Sequence, residues 1–150
     1  MEFSIETLKR KLKEIENDPL LGKFVRQQYV IQKLVSSIIF YSFVEELSSL
    51  TLGKLIDKLI KIFPKIFQSY KLRNDKDALK KLQKDMIKKL QEYNERRKNL
   101  IHHQDQIILQ ITEPYKEIEN EKLYLEETLK LGEEIKTNLF EFLKIIFKNQ

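Results

Sequence analysis

The stretch Leu20–Val44 reads LLGKFVRQQYVIQKLVSSIIFYSFV and decides the fold. Apolar side chains recur in it at three- and four-residue spacing, which is the period of an α-helix. The apolar stripe broadens in the second half, where Leu34–Val44 carries no charged residue. A stripe this wide is typical of a helix that packs on several sides. The pattern therefore predicts a long central helix from Leu20 to about Leu47.

The apolar run Leu34–Val44 is too short to cross a membrane. It has 11 residues, and a membrane-spanning helix needs about 20. The first 17 residues are charged throughout and lack the apolar segment of a signal peptide. We expect a soluble, cytoplasmic protein without a membrane partner, in which this run lies in the core.

Helical signals also flank the central helix on its N-terminal side. Ser4 is a candidate N-cap for a first helix that ends at Glu16. In Asn17-Asp18-Pro19, the first residue ends that helix, Asp18 caps the next one and Pro19 occupies its first turn. These three residues predict a sharp connection between two helices.

Three further helices are predicted on the C-terminal side. Thr51 caps a third helix, and Pro64 predicts an end or a kink in it. The predicted ranges are Leu52–Tyr70 for the third helix, Asp77 to Leu100 or beyond for the fourth, and Tyr115–Phe147 for the fifth. The sequence thus predicts an all-α protein, an up-down bundle of about five helices, with residues 1–150 as a single domain.

Composition excludes several kinds of chemistry. The chain of 150 residues has no cysteine, so it has no disulfide, zinc-thiolate site or thiol nucleophile. Its only two histidines are adjacent, which is a poor basis for a multi-histidine metal site. We expect neither a bound metal nor a cofactor.

The formal net charge of +5 conceals two oppositely charged stretches. Lys71–Leu100 holds 11 basic and 5 acidic residues, whereas Ile101–Glu134 holds 3 basic and 9 acidic residues. The first stretch is a candidate for binding phosphate, as in nucleic acid. Neighbouring helices with complementary solvated faces are the alternative, and charge alone does not separate the two.

The densest cluster of reactive side chains lies where these two stretches meet. The segment 95–104 reads ERRKNLIHHQ and holds three consecutive cations and both histidines. On a continuous helix, Arg97 and His102 point in directions about 140° apart. They converge only if the helix ends or unwinds between them, or if a second subunit contributes its own copy.

An arginine near a histidine suits the cleavage of an RNA phosphodiester without a metal. Imidazole titrates near neutral pH and can transfer a proton to or from the ribose 2′-hydroxyl or the leaving 5′-oxygen. The guanidinium group binds phosphate oxygens through two parallel hydrogen bonds. The alternative is that the two histidines cap the C-terminal carbonyls of the fourth helix.

Two motifs resemble those of HEPN domains. The first is Arg97-x4-His102, with Asn99 between them and Leu100-Ile101 before the histidine. The second is Leu50–Ile56, which reads LTLGKLI and follows a long apolar helix, as in several HEPN subfamilies. HEPN domains are all-α bundles of bacterial toxin–antitoxin, abortive-infection and CRISPR-associated ribonucleases. The resemblance covers about half of the chain, from Phe24 to His103.

This resemblance implies a homodimer whose two Arg97/His102 sets face each other and cleave RNA without metal. The arginine would act on the phosphate and the histidine in proton transfer. The expected partners are RNA, a second copy and a cognate antitoxin or defence partner. The supporting or RNA-binding residues would be Tyr93, Arg96, Lys98, Asn99 and His103.

One departure from the HEPN pattern leaves a second alignment open. The residue after the arginine is usually a small polar one, often asparagine, but here it is Lys98, with Asn99 one step later. Alignment on Arg96 gives a gap of five residues and places Arg97 in the asparagine position. Many HEPN domains are not catalytic, so the alternative function is a helical dimer that binds RNA or a protein partner.

Overall fold

The structure is a computed structural model that describes residues 4–43, 50–69, 76–109 and 118–148. These residues form a bundle of α-helices without a strand, which confirms the predicted all-α class. The five helices are α1 (Ile5–Glu16), α2 (Pro19–Phe43), α3 (Leu52–Ser69), α4 (Lys76–Leu109) and α5 (Glu121–Lys148).

The connection between α1 and α2 is built as the sequence predicts. The Ser4 hydroxyl accepts a hydrogen bond from the Thr7 amide and caps α1. The Asp18 carboxylate accepts from the amides of Leu20 and Leu21, which α2 leaves without partners in its first turn. Pro19 is the first residue of α2, where its missing amide donor costs nothing.

The apolar half of α2 lies in the core. Leu34, Val35, Ile38 and Ile39 are all buried, which confirms the core position for this part of the uncharged run, whereas Phe40 is 47% exposed. The predicted end of this helix, near Leu47, lies outside the described residues. Together with residues of α3, α4 and α5, these side chains form one continuous apolar core.

Pro64 does not end α3. The helix continues to Ser69, with Pro64 inside it. A proline leaves one carbonyl of the preceding turn without an amide donor. Pro64 is exposed, so its ring lies outside the core, and the helix continues past it.

The fifth helix begins later than predicted. Ile118–Asn120 are not helical, and α5 starts at Glu121. The Asn120 side chain explains this start, because its Oδ1 accepts a hydrogen bond from the Leu123 amide as an N-cap does. The rest of the predicted beginning, residues 115–117, lies outside the described residues.

Helix α5 packs against both α2 and α4. It runs antiparallel to α4. Arg96 of α4 contacts Thr128 of α5, whereas Lys89, earlier in α4, contacts Glu134, later in α5. Helix α1 lies at the edge: it buries no residue and touches α4 only lightly. Among the described residues, no helix has the length and apolar composition that a membrane span requires.

Candidate functional site

A buried polar network ties three helices together near the middle of the bundle. Gln27 of α2 is 5% exposed, and Tyr93 of α4 is fully buried. The Tyr93 hydroxyl donates to Gln27 Oε1 at 3.0 Å. Gln27 Nε2 donates to the Leu129 carbonyl at 2.7 Å and to Glu133 Oε1 at 3.2 Å, both on α5. The network fixes α4 against its neighbours one turn before Arg97.

Gly132 makes room for this network. A β-carbon at position 132 would collide with the amide group of Gln27. The glycine weakens α5 as a helix, as expected, yet it allows a glutamine to reach across from α2. Glycine at position 132 therefore has a packing role, because a side chain there would occupy the space of the Gln27 amide.

Asn94 orients the Arg97 side chain. Asn94 Oδ1 accepts from Arg97 Nε at 3.2 Å and from Nη2 at 3.0 Å. A β-carbon at Gly53 would lie 3.2 Å from Asn94 Nδ2, so the first turn of α3 approaches this amide closely. Gly53 belongs to the LTLGKLI stretch, and the two motifs therefore meet through Asn94.

The Arg97 guanidinium is partly buried and has no acidic partner among the residues that the structure describes. Within the four described segments, no Asp or Glu forms an ion pair with it. Burial lowers the pKa of Arg97, and the nearby Tyr93 hydroxyl acts weakly in the opposite direction. An arginine stays protonated over the physiological range, so a positive charge is held here against a neutral amide.

Arg96 has very different surroundings. Its Nε donates to the Thr128 hydroxyl at 2.8 Å, and its Nη2 donates to the Tyr124 carbonyl at 2.9 Å and to Glu127 at 3.2 Å. Its guanidinium also stacks on the Tyr124 ring, 3.9 Å from the ring centre. Arg96 therefore joins α4 to α5, and its predicted role as a supporting or RNA-binding residue stays a prediction.

Helix α4 continues without a break from Arg97 through both histidines to Leu109. The two side chains therefore keep their angular separation of about 140° and do not converge within one chain. His102 is partly buried. The pair lies well inside the helix, so the interpretation of His102 and His103 as a C-terminal cap is wrong.

The other predicted supporting residues have mostly structural contacts. His103 Nε2 lies 3.5 Å from Glu121, and Asn99 Nδ2 donates to the Tyr124 hydroxyl at 3.1 Å. Tyr93 lies in the core against Phe24, with ring centres 5.9 Å apart, so it does not line an accessible pocket. Lys98 is exposed to solvent.

An apolar groove of about 480 Å³ lies between α2 and α4. Leu100 and Ile101 line it on α4, one helical turn beyond the arginine. Three large apolar side chains remain exposed along it: Val25 (62%), Tyr29 (61%) and Ile101 (45%). Such a surface is typical of a region that another molecule covers.

Sequence reasoning missed Asn94 and Gln27. Asn94 precedes Arg97 by three residues on the same helix face, so helical spacing alone could have identified it. Gln27 carries no local signal, because its partners lie on α4 and α5. The structure groups no three His, Asp or Glu residues for metal binding within its described part.

Comparisons of the chain with protein families, with curated proteins and with solved structures find no match.

Proposed function

We propose that this protein is a metal-independent endoribonuclease of the HEPN type. In this proposal Arg97 binds the scissile phosphate of RNA, and His102 of a second copy transfers a proton. The observation that carries it is the Arg97 guanidinium, partly buried and without an acidic partner among the described residues. A buried cation is normally paired, so an arginine held against a neutral amide is suited to an anionic ligand.

The Asn94 contact explains how Arg97 would be ready for phosphate. Two of the guanidinium nitrogens, Nε and Nη2, donate to one amide oxygen, which fixes the plane of the group. Nη1 and the second hydrogen of Nη2 have no partner in the described part of the chain and remain for a ligand. A fixed fork loses little freedom on binding and is suited to the charge that builds on phosphate oxygens in the transition state.

A second copy is needed because α4 separates the two side chains. The exposed Ile101 lies between Arg97 and His102 around the helix, at about 40° from the arginine. A second copy that packs on Ile101 and the neighbouring apolar groove would face both residues. The exposed Val25 and Tyr29 support a homodimer through this surface.

In the proposed reaction the ribose 2′-oxygen attacks the phosphorus and the bond to the 5′-oxygen breaks. The 2′-hydroxyl loses a proton and the leaving 5′-oxygen gains one; His102 carries out one of these transfers and solvent water the other. The products are a 2′,3′-cyclic phosphate and a free 5′-hydroxyl. Arg97 stabilises the negative charge on the non-bridging oxygens.

A second candidate is a dimer that binds RNA without cleaving it. The separation of Arg97 and His102 on an unbroken α4 favours it, because one chain alone brings only the arginine to the phosphate. This candidate predicts salt-sensitive RNA binding with no turnover.

RNA cleavage in the presence of EDTA tests the proposal. We expect the purified protein to cleave RNA, and Arg97→Gln and His102→Ala each to reduce the rate by about 100-fold or more, the range for lost proton transfer or charge stabilisation. Arg10→Gln is the matched control, because Arg10 is an exposed arginine on α1.

Circular dichroism shows whether the variants keep their helices. Folded Arg97→Gln and His102→Ala proteins that cleave at the rate of the Arg10→Gln control would contradict the proposal. Binding of RNA that is weakened by Arg97→Gln, without cleavage by the wild type, would favour the second candidate.

A further inference from the structure

A basic cleft of about 460 Å³ lies between α2 and α5. Four cationic side chains line it: Lys23 and Arg26 from α2, and Lys130 and Lys136 from α5. Its only acidic lining residue is Glu133, and the buried Gln27 is part of its wall. The cleft therefore has a net charge of +3.

Glu133 is already engaged. Its Oε1 lies 3.3 Å from Lys136 Nζ and accepts a hydrogen bond from Gln27 Nε2 at 3.2 Å. Lys23, Arg26 and Lys130 form no ion pair with any residue that the structure describes. Three cations from two helices thus line one concavity without a counter-charge from the described part of the chain, which favours an anionic ligand.

We propose that this cleft binds the phosphate backbone of an RNA strand whose neighbouring phosphates reach Arg97. The inference rests on the proposed function, because it assigns a second contact for the same substrate. It makes the recognised ligand an extended strand and gives Lys23, Arg26 and Lys130 the role of phosphate contacts.

The short distance to Arg97 favours a strand over a small anion. The Tyr93 hydroxyl contacts Gln27 in the wall of the cleft, and Arg97 lies one helical turn, about 5 Å, further along α4. A strand of a few nucleotides is long enough to contact both the cleft and Arg97, and the apolar groove on the other flank of α2 is left to the second copy. Backbone phosphates supply charge at every step of that strand.

The salt dependence of RNA binding tests the inference. The probe is a short unpaired 2′-O-methyl RNA, which lacks the free hydroxyl needed for cleavage. We compare the wild type with the triple variant Lys23→Gln/Arg26→Gln/Lys130→Gln. Each lost phosphate contact lowers the slope of log K against log salt by about 0.7, so the slope should fall by about 2.

A second triple variant controls for net charge. Lys9→Gln/Arg10→Gln/Lys13→Gln removes two lysines and one arginine, all of them exposed on α1. We expect its slope to stay close to that of the wild type. Equal slopes for the two triple variants, with both proteins folded, would overturn the inference, because bulk charge would then explain the binding.

Two further measurements separate this inference from the nuclease proposal and from a small ligand. If the wild type cleaves unmodified RNA but the cleft variant binds the probe as tightly as the wild type, the proposed role of the cleft is wrong and the nuclease proposal is unaffected. If the wild type binds the probe through the cleft but cleaves no RNA, the nuclease proposal is wrong and the role of the cleft is supported. The inference that the ligand is RNA would be wrong if calorimetry showed pyrophosphate binding to the wild type but not to the cleft variant, while the salt dependence of RNA binding was the same for both proteins.

Discussion

Arg96 and Arg97 are consecutive residues of α4, yet their guanidinium groups have opposite surroundings. Arg96 donates hydrogen bonds to Thr128, Glu127 and a backbone carbonyl and stacks on Tyr124. Among the residues that the structure describes, Arg97 donates hydrogen bonds only to the amide oxygen of Asn94. A helix turns by about 100° per residue, which is enough to direct one cation to α5 and the next away from it. Of the two alignments that the sequence leaves open, the one on Arg97 therefore has the available cation.

The buried Tyr93 hydroxyl predicts a loss of stability at high pH. Burial raises the pKa of this hydroxyl above its ordinary value, whereas in the unfolded chain it is about 10. Below pH 10 both states are protonated, so the contribution is constant. Above pH 10 the unfolded chain loses this proton first, and the free energy of unfolding falls as the pH rises.

Tyr93→Phe should remove this part of the pH dependence. It should also cost about 1–2 kcal/mol at pH 8, because Gln27 Oε1 loses its buried donor. Urea unfolding at pH 8 and pH 10.5 measures both effects, with Tyr29→Phe, at an exposed position, as the control. If the wild type and Tyr93→Phe lost the same amount of stability between the two pH values, the Tyr93 hydroxyl would not be the source of this pH dependence.

At the scale of the elements, the contact between α2 and α5 depends on one glycine and one glutamine. Gln27 donates to the Leu129 carbonyl in the turn just before Gly132, and a side chain at position 132 would push its amide away from all its partners. The α-helical propensity of alanine exceeds that of glycine by about 1 kcal/mol, so propensity alone predicts that Gly132→Ala stabilises the protein.

We expect the opposite result, because the collision outweighs the gain in propensity. Gly132→Ala should destabilise the protein by about 1–3 kcal/mol, the usual cost of overpacking. In a Gln27→Ala background the same substitution should be neutral or stabilising, since the colliding amide is gone. Denaturant unfolding of the wild type and the three variants gives this double-mutant cycle, and equal effects of Gly132→Ala in both backgrounds would contradict it.

The sequence predicts the helices well and their contacts poorly. Caps such as Ser4 and Asp18 act within a few residues, so their role can be predicted from local patterns alone. The continuation of α3 through Pro64 depends on the exposure of that residue, which a local pattern does not contain. The same limit applies to the site: Arg97 is singled out by its motif, but its difference from Arg96 depends on α5, which lies about 30 residues later.

At the scale of the whole molecule, a single chain holds only part of the proposed site. Arg97 and His102 stay on separate faces of a continuous α4, and the apolar groove between α2 and α4 exposes Val25, Tyr29 and Ile101. A symmetric dimer would cover the groove and bring Arg97 of one copy towards His102 of the other, because a two-fold axis places each surface patch against the same patch of the second copy. The arginine of one copy would then act with the histidine of the other.

Mixing two inactive variants tests this central claim most directly. Arg97→Ala and His102→Ala proteins are unfolded together, refolded as a mixture and assayed for RNA cleavage in EDTA. Half of the dimers are then mixed, and each has one intact site of two, so the account predicts about one quarter of the wild-type activity. Each variant alone should be inactive. A mixture as inactive as its components, although mixed dimers have formed, would contradict the account.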